Sequence, residues 1–182
     1  HTWKGPLNKD CFLYEPQGII IEEQKPVVPP DVEEYSQAAF VHFSMFYSMK
    51  ESLRLLSEYE QANNFKYDLV VRTRFDIGLE SKIDLENFDL KEGVYSPDVC
   101  VNPEVISDWF NFSTSDNIKL YSDIYDNIVS YFKQGVLITS GESLITHMLK
   151  TKLIPIKKIP CTLYLLRDRN IHARLSPFWK YV

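Results

Sequence analysis

Three charged residues close an apolar run in YDLVVRTRFD, Tyr67 to Asp76: Arg72, Arg74 and Asp76. If the run is a strand, its two-residue alternation sends these three side chains to one face, and Thr73 and Phe75 to the other. A guanidinium grips phosphate or carboxylate through two parallel hydrogen bonds, and an ionised aspartate can hold Mg2+ or Mn2+. Beside two arginines such a carboxylate stays ionised. Together the three match what a departing diphosphate needs as its negative charge develops. A structural Arg–Asp pair at a strand end accounts for the same spacing.

Several elements must position that cluster. The opening HTWKGPLNKD reads as the tail of a strand entering a loop, and Ile19 to Ile21 as a strand leaving into a proline-rich connection. A long helix follows, capped by Asp31 or Ser36 and running to about Ala62. Its residues Ala39, Phe43, Phe46, Met49, Leu53 and Leu56 recur at three- and four-residue steps as one buried face. The apolar part of YDLVVRTRFDI is unbroken, which predicts a central strand covered on both faces. Short strand-like pieces lie in IDLENFDLKEGVYSP. The segment DWFNFSTSDN leads into a second helix capped by Ser115, with Ile118, Tyr121, Ile124, Ile128 and Phe132 inside and Gly135 at its end. SGESLITHMLK predicts a third helix capped by Ser140, and LIPIKKIPCTLYLLR one or two strands before an arginine-rich tail.

Strands alternating with helices predict an α/β layered sheet, here one domain over residues 1–182. Ligands of such sheets bind beyond the carboxyl ends of the strands, where Arg72, Arg74 and Asp76 fall.

Composition narrows the functional classes. With 45% apolar and 25% charged residues the chain is that of a soluble globular protein. Eleven Tyr and eleven Phe suggest a broad core and an aromatic-lined cleft. A net charge of −5 argues against a general nucleic-acid binder. Cys11, Cys100 and Cys161 are far apart and form no CxxC or Cys/His cluster, so neither a disulfide framework nor a structural zinc site is indicated. No apolar run has the length of a membrane span, and the expected location is cytoplasmic, in a bacterial or virus-infected host cell. Asn111-Phe112-Ser113 matches a glycosylation sequon and is read as a chance triplet.

YDLVVRTRFD resembles the signature strand of GT-A-type glycosyltransferases from bacterial polysaccharide loci and large viruses, which carry a YD-apolar-apolar-R-x-R-x-D segment. HTW at residues 1–3, FYSMKESLRLLSEYE at Phe46 to Glu60, DWFNFSTSDNIKLYSDIYDNI and SGESLITHML are similar to further pieces of that family in the same order. The resemblance implies a GT-A-like, Rossmann-like mixed sheet flanked by helices. It also implies transfer of a sugar from a nucleotide-sugar donor to a glycan or other hydroxyl acceptor, usually with a divalent metal. The chain starts at the HTW segment, so the family's first strand is expected to be lacking.

Residue roles follow from the resemblance. Asp76 matches the last position of a DxD-like metal motif, although Arg74 stands where the fuller motif has Asp. Glu142 corresponds to the acidic residue these enzymes often place at a helix N-terminus, a general base for the acceptor hydroxyl. Without the resemblance it reads as a carboxylate favoured by the helix dipole. Asp108 would hydrogen-bond sugar hydroxyls, with Trp109 or Phe110 stacked on a sugar face or, alternatively, plugging the core. His172 would supply a second metal ligand, and Arg167 and Arg169 would meet phosphate or lie in solvent. His42 and His147 fall on helices without an evident acidic partner and read as structural.

Two rival readings remain. One is a non-catalytic carbohydrate-binding or assembly module of a larger complex. The other is a metal-dependent phosphoesterase using Asp76, which usually needs more carboxylates and histidines than this cluster offers. No Walker-type loop, GxGxxG or GxSxG occurs, so kinase, dinucleotide-dehydrogenase and serine-hydrolase readings lack their motifs.

Overall fold

The computed structural model describes residues 17–18, 37–74, 76–98, 104–137, 140–165 and 173–174. The HTW segment, the strand expected at Ile19–Ile21, the caps expected at Asp31 or Ser36, Cys11, Cys100, Arg167, Arg169 and His172 lie outside them.

Helix α1, Gln37–Asn63, buries Phe43, Phe46, Met49 and Leu53 as the sequence periodicity predicts. Asn64 ends it in the left-handed region, at φ 52°. Buried Glu60, near its end, accepts hydrogen bonds from Ser115 Oγ at 2.7 Å and from the Tyr67 backbone N–H at 3.0 Å, and pairs with Lys119. This ties the helix end to the approach of strand β1, Val70–Thr73.

Four strands form the main sheet in the order β1, β4 (Phe110–Ser113), β3 (Val94–Pro97), β5 (Ile156–Ile159). The β1–β4 and β4–β3 pairs are antiparallel and β3–β5 is parallel, so the sheet is mixed. β2 (Ile77–Leu79), β6 (Leu163–Leu165) and β7 (Ala173–Arg174) make a second, antiparallel sheet.

The expectation that β1 is central is corrected. Among the described residues it is an end strand with β4 as its neighbour, and Val71 is 41% exposed. Among the described residues, β3 and β4, VYSP and FNFS, are buried at every position. Their polar residues hid them from hydropathy, yet each finds a partner inside the fold. Ser113 Oγ donates to Gly93 O at 2.7 Å, and Ser96 Oγ accepts from the Ser107 N–H at 3.0 Å. Asn111 is fully buried in β4, so the sequon lies within the sheet.

The segment expected to lead straight into a helix therefore builds β4 first. Thr114, one residue before the expected cap, accepts from the Asn117 N–H and starts α2, Ser115–Lys119. A break then separates α2 from α3, Ser122–Lys133. Ile118, Tyr121, Ile124 and Ile128 are buried as expected, whereas Phe132 is 40% exposed on the outer side of α3. α4, Gly141–Thr151, begins at the predicted cap, where Ser140 Oγ accepts from the Ser143 N–H at 3.1 Å.

The helices share one core with Val94 and Ile106, which lies against the sheet. Across the sheet Tyr95, Phe110, Phe112, Ile159, Cys161 and Leu163 form a second core with Phe88 and Leu85. The architecture is a mixed β-sheet flanked by α-helices. No helix among the described residues is long and apolar enough to cross a membrane.

Candidate functional site

The site forms where the carboxyl end of β1 meets the segment that enters β4. Arg72 donates through Nη1 to the Asp108 carbonyl oxygen, and the Arg74 backbone N–H donates to Trp109 O at 3.1 Å. Arg74 also lies over the Trp109 ring, its Cζ 5.8 Å from the centroid. Its Nε and Nη2 donate to Asp76 Oδ1 and Oδ2, both at 2.7 Å, a two-point fork of the kind arginine makes best. Arg74 and Asp76 lie between β1 and β2, beyond the strand whose alternation was expected to align them.

Charge on the two arginines responds differently to these surroundings. Burial lowers the Arg72 pKa, opposed by Tyr121 and Asp108. The Asp76 hydrogen bonds raise that of Arg74.

Hydrogen bonds to loop and helix hydroxyls pin Asp108 from both sides. The Ile106 N–H donates to Thr146 Oγ1 at 3.1 Å, and the Trp109 N–H to Ser107 Oγ at 3.1 Å. Asp108 is only 7% exposed, and its carboxyl group stands against the first turn of α4. Gly141 makes room for it: a Cβ there would lie 2.7 Å from Asp108 Oδ2 and 2.8 Å from Met45 Cε. Asp108 Oδ1 is buried without a hydrogen-bond partner.

Burial and the neighbouring Glu142 carboxylate push the Asp108 pKa up to about 6, against the opposing charges of Arg72, Arg74 and His42. Glu142, half-buried, accepts from Ser140 Oγ at 3.1 Å while that hydroxyl caps the helix. One serine therefore orients both the helix terminus and the carboxylate.

Arg72, Arg74, Asp108 and Glu142 come together, and Asp76 joins them through Arg74. Of the two aromatic candidates, Phe110 is a core plug, 6% exposed, and Trp109 lies beneath Arg74. His42, read from sequence as structural, lies within electrostatic reach of Asp108. Its signal was a histidine on the apolar stripe of α1, four residues before Phe46 and seven before Met49. The acidic partner is remote in sequence and could not be read there. Buried His147 Nε2 has no hydrogen-bond partner, and the ring meets Tyr131 edge-on at 4.7 Å, a packing contact.

The divalent metal implied by the resemblance was placed on Asp76 and His172. Both Asp76 oxygens accept from Arg74, and no group of three or more His, Cys, Asp or Glu among the described residues could hold a metal ion. The described donors do not fit a divalent ion as they stand. No family model, curated protein or solved structure matches the chain.

Proposed function

We propose that the chain is a GT-A-type glycosyltransferase that moves a sugar from a nucleotide diphosphate-sugar to an acceptor hydroxyl. The observation that carries this reading is the buried Asp108 carboxylate with half-buried Glu142 beside it, next to Arg72 and Arg74 at the end of β1. The resemblance of YDLVVRTRFD to the family's signature strand supports it.

In this reading the arginines hold the diphosphate. The bond between the sugar's anomeric carbon and the phosphate oxygen breaks, and its electron pair leaves with the diphosphate, whose growing charge the guanidinium groups offset. The acceptor oxygen bonds to the anomeric carbon, and its proton passes to the carboxylate pair. Glu142, the more exposed of the two, meets the acceptor, and Asp108, whose burial raises its proton affinity, stands behind it. No step is routed through a metal.

Calorimetric titration with nucleoside diphosphates and a panel of nucleotide-sugars tests the reading. Binding by at least one, weakened in Arg72→Ala and Arg74→Ala, is expected. If none binds, the transferase reading fails. The rival, a non-catalytic carbohydrate-binding or assembly module, is favoured by the Arg74–Asp76 fork, which engages both oxygens of the motif carboxylate. Binding of glycan with no affinity for any nucleotide would select it.

A further inference from the structure

The chain that enters β4 lies along α4 in matched register. Lys150 Nζ pairs with Glu104 Oε2 at 2.9 Å, and the Ile106 N–H donates to Thr146 Oγ1 at 3.1 Å. Asp108 Oδ2 stands 2.7 Å from where a Cβ on Gly141 would lie, and Glu142 is the next residue of the helix. Steps of two on one run thus meet steps of four on the other, in opposite directions: Glu104, Ile106 and Asp108 against Lys150, Thr146 and Glu142. Four helical residues advance about 6 Å, and two residues of chain reach at most about 7 Å, so the rungs stay in step.

The rungs differ in strength. Lys150 and Glu104 are both exposed, and such a pair holds little. Ile106 is fully buried and Thr146 nearly so, which makes their hydrogen bond costly to break. On its other side the segment is tied to the sheet: the Ser107 N–H donates to Ser96 Oγ, the Asn111 side chain to Ser107 O, and Arg72 to Asp108 O. The buried hydrogen bond that joins this sheet-held segment to α4 is the one to Thr146.

We propose that Thr146 is a positioning residue: its hydroxyl fixes the register between α4 and the segment entering β4, and so sets the Asp108 carboxylate beside Glu142. The proposal rests on the transfer reading for its purpose and on these contacts for its geometry. Thr146→Val keeps the shape but removes the acceptor, leaving the buried Ile106 N–H without its partner. The segment then relaxes toward water and carries Asp108, two residues on, out of its recess. Thr146→Ser keeps the acceptor.

The test follows the Asp108 carboxyl carbon by NMR as a function of pH in wild type, Thr146→Val, Thr146→Ser and Lys150→Ala. Neither threonine substitution alters Arg72, Arg74, His42 or Glu142, the charged groups around Asp108, so a moved midpoint reports a moved carboxyl group. Burial holds that midpoint up. It is expected to fall by about half a unit or more in Thr146→Val and to keep its wild-type value in Thr146→Ser and Lys150→Ala. The kcat for transfer should fall about tenfold in Thr146→Val, with the KM for the donor unchanged. A merely structural hydrogen bond would lower the thermal stability of Thr146→Val without moving the midpoint, and that result overturns the proposal whatever the transfer activity. Equal shifts in Thr146→Val and Thr146→Ser would show that the hydroxyl is not what holds the segment, and overturn it too. A midpoint that falls in Thr146→Val alone, in a protein that transfers no sugar, upholds the positioning and counts against the transfer reading instead.

Discussion

Asp108 and Gly141 are complementary: the carboxylate of one fills the space a side chain on the other would need. A Cβ at 141 would stand 2.7 Å from Asp108 Oδ2, and the carboxylate has little room to retreat because it is only 7% exposed. Gly141→Ala should therefore displace Asp108, although alanine is ordinarily the better helix former. The expected loss of transfer rate is about 10- to 100-fold, as for a displacement of about an ångström at a reacting group. Thermal unfolding of the Asp108→Ala, Gly141→Ala double variant checks the cause. Once the carboxylate is gone, the alanine should cost less, the remainder falling on the Met45 methyl, whereas a penalty undiminished by Asp108→Ala would place the clash elsewhere.

The raised Asp108 pKa makes a signed prediction about stability. Below about pH 4 the group is protonated in both folded and unfolded chains and contributes nothing. Between about 4 and 6 the unfolded chain releases the proton while the folded one retains it, so stability falls as pH rises and then levels off. Asp108→Asn removes this penalty. It should be more stable than wild type at about pH 8 by roughly 3 kcal/mol and nearly equal at about pH 4. Urea unfolding at the two pH values measures the difference, and an advantage at pH 4 equal to that at pH 8 would contradict it. Transfer by the wild type should rise through about pH 6 as Asp108 loses its proton.

The Arg74–Asp76 fork separates two roles for Asp76. If Asp76 orients Arg74 for phosphate, Arg74→Ala should raise the Kd for a nucleoside diphosphate about tenfold or more, and Asp76→Asn by less. Arg74→Lys should behave like the alanine variant, because a point ammonium cannot form the fork. Titration calorimetry ranks the variants. If Asp76→Asn is the most damaging, Asp76 acts on the donor directly, as the metal-holding carboxylate the resemblance implies.

Glu60 secures the other end of β1. Burial pushes its pKa up, but hydrogen bonds from Lys119, Ser115 and the Tyr67 N–H outweigh this and hold it below the usual carboxylate range. Glu60→Ala leaves those donors without their acceptor and should cost about 1–3 kcal/mol in urea unfolding. Glu60→Gln, which keeps the shape, should cost less. Equal losses would mean that charge, not hydrogen bonding, sets the contribution.

Hydropathy made α1, α4 and the buried face of α3 legible, because each carries a 3.6-residue apolar pattern, and for α4 a cap at Ser140. It misplaced β1 and missed β4 for one reason. Leu69, Val70 and Val71 look more central than Phe110-Asn111-Phe112-Ser113, but burial of a strand depends on neighbours that a local window cannot see. The Asn111 amide N–H donates to the Ser107 carbonyl, and the Ser113 hydroxyl donates to the Gly93 carbonyl on the loop before β3. The same limit applies to the site. Arg72, Arg74, Asp108 and Glu142 could each be nominated from residue type and position. The Gly141 recess, lined by Asp108 and Met45, exists only once α1 and α4 pack around Asp108.

The most direct test of the transfer reading is turnover. Purified protein would be incubated with nucleotide-sugars and glycan acceptors, with and without Mn2+, while nucleoside diphosphate release and the glycosylated product are followed. The account predicts release with at least one donor, coupled to product and lost in both Asp108→Asn and Glu142→Gln. Release that persists undiminished in both variants, or its absence with every donor tested, would contradict it.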